Sequence, residues 1–204
     1  ACMCRAAMTL SPTAPPLVES AESTRMTGLG SLRIRAVREM ASCRALLGKE
    51  SGFAAILGTG TNTCLYDGEK ETLNVDSCGF ILGDEGSGGY LGKRMIVDYI
   101  RRNMPKDVYD MVGKVLGMNN DELLDQIYTR PFPNRFCAQY SGFIYENLDK
   151  PYFSELVENS FRSFFKKIVV HYPDYQSYIF NSVGSIGYVY KDILAKVAAE
   201  YGMK

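Results

Sequence analysis

Residues 79–94 read "GFILGDEGSGGYLGKR", with six glycines and the adjacent carboxylates of Asp84 and Glu85 in sixteen positions. Glycine inside an ordered element costs roughly 0.5–1 kcal/mol relative to alanine. Such a density therefore marks a tight turn or a place where another group approaches the backbone closely. The stretch runs into Leu91, Met95, Ile96, Tyr99 and Ile100, which recur at helical spacing, and Ser87 is placed to cap the helix they predict. The two carboxylates either help cap that helix or accept hydrogen bonds from the hydroxyls of a ligand.

Two more glycine-bearing junctions lie outside this one. "FAAILG" (53–58) is a short apolar run suited to a buried strand, and it leads into "LGTGTNT" (57–63), where two glycines alternate with hydroxyls. Backbone N–H groups in such a turn can face phosphate oxygens, with Thr59 and Thr61 donating further; a hairpin turn with solvated threonines is the plainer reading. "NTCLYDGEKETLNV" reads as a hairpin about Asp67-Gly68. Near the C-terminus, "VGSIG" (183–187) separates a predicted strand (178–183) from a closing helix that turns Ile193, Leu194, Val197 and Ala198 inward. An anion or polar ring edge suits that helix start, and so does an ordinary turn capped by Ser185. Helices are further predicted over 107–117, 120–128, 134–148 and 152–171. The pattern is that of an α/β domain with helical insertions and no internal repeat. Neither a P-loop nor a dinucleotide glycine fingerprint is present.

With 204 residues, 46% of them hydrophobic, the chain can bury a sizeable core. Basic and acidic residues balance at 23 each, so no net field favours nucleic acid or a membrane surface. Six cysteines (Cys2, Cys4, Cys43, Cys64, Cys78, Cys137) without paired spacing and a single histidine make a poor zinc donor set. Reduced thiols in a cytoplasmic protein are expected. No apolar run approaches the roughly 18–20 residues that span a bilayer, and no signal-peptide pattern opens the chain.

The composition changes near residue 50. All 14 tyrosines and 10 phenylalanines fall between Phe53 and Tyr201, and Lys49 is the first of eleven lysines. Before it, "TLSPTAPPLVESAESTRMTGLGSLR" is rich in Ser, Thr, Pro and Gly and is expected to be poorly ordered; an Arg- and Ser-rich leader of low acidity also has the composition of an organelle transit peptide. Residues 40–50 alone in this part look helical, with Met40, Cys43 and Leu47 on one face. The expected organisation is a leader over 1–39 and one domain over 40–204.

"ILGTGTNTCLYDG", "GFILGDEGSGGYLGKR", "RPFPNRF" and "VGSIGYVYKDIL" together resemble the C-terminal half of bacterial N-acetylglucosamine kinase-like proteins of the BadF/BadG/BcrA/BcrD ATPase family. The resemblance runs from about Ala45 to the C-terminus. It implies the actin-like ATPase (ribonuclease H-like) fold of the sugar kinase/Hsp70/actin superfold, and ATP-dependent phosphorylation of an amino sugar such as N-acetylglucosamine. By that resemblance Thr59, Gly60, Thr61 and Asn62 form a phosphate loop, Gly184 and Ser185 lie at the adenosine, and Gly79, Phe80, Asp84 and Glu85 line the sugar pocket. ATP and Mg2+ are the implied cofactors and a sugar and a nucleotide the partners, with no nucleic acid and no membrane; a homodimer is compatible with it.

The chain departs from the family in two places. The family's N-terminal domain, with an Asp-Gly-Gly-x-Thr loop that orders magnesium, has no counterpart, so a partial member is expected, with the Mg2+ ligands in the missing domain. Where the family places a catalytic aspartate, "RAVREMASCRALLG" offers Glu39, whose carboxylate sits one methylene further out. Two other readings are an ATPase activator of a radical dehydratase, which would need cysteines for an iron–sulfur cluster, and a sugar- or nucleotide-binding module without turnover.

Overall fold

The side chains of β1, Gly52–Leu57, alternate between two unequal faces of a sheet: Phe53, Ala55 and Leu57 are buried on one, Ala54 on the other. The structure is a computed structural model describing residues 43–204. The expected leader, Glu39 and the start of the 40–50 helix lie outside the described residues. From β1 the chain turns through residues 58–60 into the antiparallel β2, Thr61–Tyr66, with Phe53 opposite Leu65, Ala55 opposite Thr63 and Leu57 opposite Thr61. Asp67 and Gly68 reverse it as expected. The Asp67 carboxylate accepts the N–H groups of Glu69 and Lys70 at 2.9 and 2.8 Å, and β3, Glu71–Leu73, pairs back on β2. The last strand, β4, Phe180–Val183, lies parallel to β1. The order is β3-β2-β1-β4, so β1 is flanked on both sides.

On the narrow face, α1 (43–47 among the described residues) sets Cys43 beside Ala54, Cys64 and Tyr66. Cys43 and Cys64 are joined as a disulfide with their Cα atoms 7.5 Å apart. This corrects the expectation of uniformly reduced thiols: strand alternation turns Cys64 toward α1. Cys78 and Cys137 are free.

The remaining helices cover the broad face. They are α2 (Gly79–Leu82), α3 (Gly88–Arg101), α4 (Lys106–Leu116), α5 (Asn120–Tyr128), α6 (Pro133–Ala138), α7 (Ser141–Glu146), α8 (Pro151–Lys167), α9 (Ser185–Val189) and α10 (Lys191–Glu200). From α8, Phe165 packs 5.2 Å from Phe180, which lies 5.5 Å from Phe53. Tyr172 meets Phe53 edge-on at 5.2 Å, and its hydroxyl sits 2.8 Å from the Thr63 hydroxyl and accepts the Val75 N–H at 2.9 Å. Each such ring contributes roughly 1.5–3 kcal/mol on full burial. No helix among the described residues is long and apolar enough to cross a membrane.

Four helical expectations change in detail. The 152–171 helix ends at Lys167, and a 3-10 turn over Val169–His171 follows it. The 134–148 helix divides into α6 and α7, because the Ser141 hydroxyl donates to the Ala138 carbonyl at 2.8 Å and competes with the helical ladder. The closing helix divides at Tyr190, whose buried ring sends its hydroxyl to the Ser141 carbonyl at 2.6 Å. The glycine-rich stretch itself contains a helix, α2, too short to show a period.

Candidate functional site

β1 and β4 run side by side in the same direction and end together, Ile56 beside Val183. In α/β sheets ligands bind beyond the carboxyl ends of such strands. Three glycine-bearing loops meet there. Gly184, at φ 113°, closes β4 so tightly that a Cβ added to it would lie 2.3 Å from the Leu57 carbonyl oxygen. The Gly88 N–H donates to the Gly58 carbonyl at 2.8 Å and the Gly89 N–H to the Thr59 carbonyl at 3.0 Å. Ser87 caps α3 as expected, its hydroxyl accepting the Tyr90 N–H at 3.0 Å. The first turn of α3 is therefore satisfied by the 58–60 loop and Ser87, and neither carboxylate serves as its cap.

Asp84 and Glu85 are committed elsewhere. Asp84 is buried in a left-handed conformation, φ 58°, and its carboxylate Oδ1 accepts the Thr61 N–H at 3.2 Å. The Thr61 hydroxyl donates back to the carbonyls of Asp84 and Glu85, at 3.3 and 2.6 Å. A Cβ added to Gly60 would lie 2.9 Å from Asp84 Oδ2, so glycine is what lets the carboxylate approach. Glu85 Oε1 takes Lys167 Nζ at 2.8 Å, the carboxylate side chain 6% exposed and the ammonium side chain 58%. The hydrogen bond to Glu85 raises the Lys167 pKa above its usual range.

The remaining expected residues divide. Thr59 is exposed at the tip of the loop, whereas Asn62 turns away, its Oδ1 accepting from Asn74 Nδ2 at 3.1 Å. Ser185 opens α9, but the cap position belongs to Gly184, which corrects the reading of Ser185 as N-cap. Gly79 and Phe80 belong to α2, held next to the site by backbone bonds from Gly83 to Gly79 and from Asp84 to Ser77. Beside them lies a cavity of about 550 Å³ lined by Cys78, Phe80, Ile81, Leu82, Pro133 and Asn134. Its walls are mainly apolar, and Asp84 and Glu85 do not line it.

Sequence reasoning missed Lys93. Half-buried on α3, its ammonium donates to the Phe80 carbonyl and lies 4.8 Å from the centre of the Phe80 ring and 5.6 Å from that of Tyr90. Burial lowers its pKa, against the pull of Cys137, Asp84 and Glu85. The only trace of this in the sequence is a lysine one turn beyond the last paired glycines. Burial also pushes the Cys137 thiol up to about 12.

No protein-family model and no curated protein matches the chain. Among solved structures, it is similar to a protein of Porphyromonas gingivalis, at 37% identity and a TM-score of 0.78 over 81% of this chain and 58% of that one. A protein of Chromobacterium violaceum shares the fold, at 17% identity and a TM-score of 0.64 over 81% of this chain and 59% of the other. Both are described as "Putative N-acetylglucosamine Kinase". The chain thus shares the mixed α/β fold of these two proteins and spans under three fifths of the length of either.

Proposed function

We propose that this chain is the substrate- and adenosine-bearing half of an ATP-dependent amino-sugar kinase. It would act on N-acetylglucosamine or a close relative, within the actin-like fold of the BadF/BadG/BcrA/BcrD family. The observation that carries the reading is the Asp84–Thr61 clasp, which locks the Gly-Thr-Gly-Thr loop to the Gly-Asp-Glu-Gly-Ser loop at the carboxyl end of β1. Similarity to the Porphyromonas protein over most of this chain supports it.

Phosphoryl transfer depends on positioning and on neutralising charge. In this reading the 59–62 loop and Gly184-Ser185 hold the nucleotide, and Gly79, Phe80, Asp84 and Glu85 border the sugar. Glu39 is the candidate proton acceptor. Magnesium accompanies the nucleotide phosphates, with its protein ligands assigned to the preceding domain of the family. A cytoplasmic setting and small-molecule partners belong to the same reading. The dehydratase-activator alternative is weaker on thiol chemistry, since Cys64 is paired and Cys137 is buried with a pKa that disfavours the thiolate.

Calorimetric titration of the chain with Mg–ATP and with N-acetylglucosamine, together with coupled ADP release, tests the proposal. Binding of both ligands is expected, and Gly60→Val should weaken both. A folded chain that binds neither would reject it.

A further inference from the structure

A second cavity, of about 410 Å³, lies in the groove between α3 and α8 and has no residue from the three glycine loops. It falls within the size range of small-molecule sites, about 300–1,000 Å³. Unlike most such sites it is polar. Tyr90, Arg94 and Asp98 line it from α3, and Glu155, Asn159 and Ser160 from α8. Tyr152, also in the lining, donates its hydroxyl to Asp98 Oδ2 at 3.0 Å and so fixes that carboxylate at the wall.

Ser160 supplies the independent observation. It is 2% exposed, and its hydroxyl is the one buried side-chain polar atom among the described residues without a hydrogen-bond partner. Buried hydroxyls are nearly always satisfied, so one left open in the wall of a polar cavity points to a hydrogen-bonding ligand. The charges select among ligands. Arg94 shares the lining with two carboxylates, Asp98 and Glu155, while Lys167, close enough to feel Tyr90 and Arg94, is already paired with Glu85. The excess is negative, which disfavours phosphate or carboxylate ligands. Two carboxylates, two amides (Asn103 and Asn159) and hydroxyls around the rings of Tyr90 and Tyr152 instead suit a molecule with many hydroxyls and an apolar ring face.

We propose that the α3–α8 cleft is a binding site for a neutral polyhydroxylated molecule of monosaccharide size, separate from the site at the glycine loops. Because Tyr90 also contacts Lys93, which bonds the Phe80 carbonyl, occupancy of the cleft bears on the position of α2.

The test is an NMR titration of the full chain with glucose, N-acetylglucosamine and glucose 6-phosphate as probes. At least one neutral sugar should shift the amides around Ser160 and Ser163, which also lines the cleft, and glucose 6-phosphate should bind there several-fold more weakly than glucose. Ser163→Phe, which fills the cavity, and Asn159→Leu, at an exposed position that tolerates substitution, should each weaken this binding at least tenfold. Asp84→Ala should leave it unchanged, which separates this proposal from the kinase reading. Shifts confined to residues 58–61 and 83–89, no shifts from any probe, tighter binding of glucose 6-phosphate than of glucose, or binding that survives Asn159→Leu would each overturn it.

Discussion

The Asp84 carboxylate accepts the backbone N–H of Thr61 at 3.2 Å, while the Thr61 hydroxyl returns to the carbonyls of Asp84 and Glu85. Two loops more than twenty residues apart are thereby clasped in both directions. Thr61→Val keeps the shape and removes the returning hydroxyl, leaving a buried carbonyl without its donor. It should destabilise the fold by about 1–3 kcal/mol, read as a lower denaturation midpoint, and Thr61→Ser should recover most of the loss.

Asp84 separates support from recognition. Asparagine tolerates its left-handed φ of 58° and alanine does so poorly. Asp84→Asn should therefore melt close to the parent, and Asp84→Ala well below it. If the carboxylate holds a sugar hydroxyl, each charge-assisted bond is worth about 1.5–3 kcal/mol, so both variants should lose roughly tenfold to a hundredfold in N-acetylglucosamine affinity by calorimetry. Undiminished affinity in Asp84→Asn removes the carboxylate from the sugar site.

At Gly60, an added Cβ meets Asp84 Oδ2 at 2.9 Å. A substitution there reaches both halves of the site. Gly60→Val should weaken nucleotide and sugar together, and its effect on sugar should be less than additive with Asp84→Ala because the two share one contact. Fully additive losses in a double-mutant cycle would show that the loop and the carboxylate act independently.

The Glu85–Lys167 pair predicts a pH dependence. The folded pKa of Lys167 lies above its ordinary 10.5, so the pair's contribution is present below that value and is lost as pH rises through the raised one. Lys167 is largely solvated, which limits the contribution to at most about 1 kcal/mol. Lys167→Met strands the buried Glu85 carboxylate and should cost more, about 1–3 kcal/mol at neutral pH. Thermal melts of both proteins across the pH range check it: the deficit should shrink as pH rises through the raised Lys167 pKa, where the parent loses the pair as well, and an equal deficit at every pH would assign the loss to packing.

Thiol mapping tests the cysteine assignments. In the native protein, alkylation should modify exposed Cys78 and spare Cys137, whose burial pushes its thiol up to about 12. Peptides digested without reductant should retain the Cys43–Cys64 link. Free labelling of Cys64 in the folded chain would contradict that pairing.

Strands, hairpin and helix faces were legible because they rest on local periodicity. The apolar run of β1, the Asp67-Gly68 turn, the Ser87 cap and the inward stripe of α3 are each set by residues within a few positions of one another. The three glycine-bearing junctions were legible one by one, but their gathering was not, because the loops lie far apart along the chain. Lys93 was not legible, because its partner, the Phe80 carbonyl, reaches it through the unpredicted α2.

By itself the sequence determined an α/β domain with glycine where chain must pass close to chain, and it left Asp84 and Glu85 divided between capping a helix and binding a ligand. The tertiary structure decided against the cap. The Gly58 and Thr59 carbonyls already satisfy the start of α3, and Thr61 draws the Asp84 carboxylate across to the other loop. The physical reason is that a hydrogen bond between residues 23 positions apart depends on how β1, β2 and α3 pack, and neither propensity nor spacing along the chain encodes that packing.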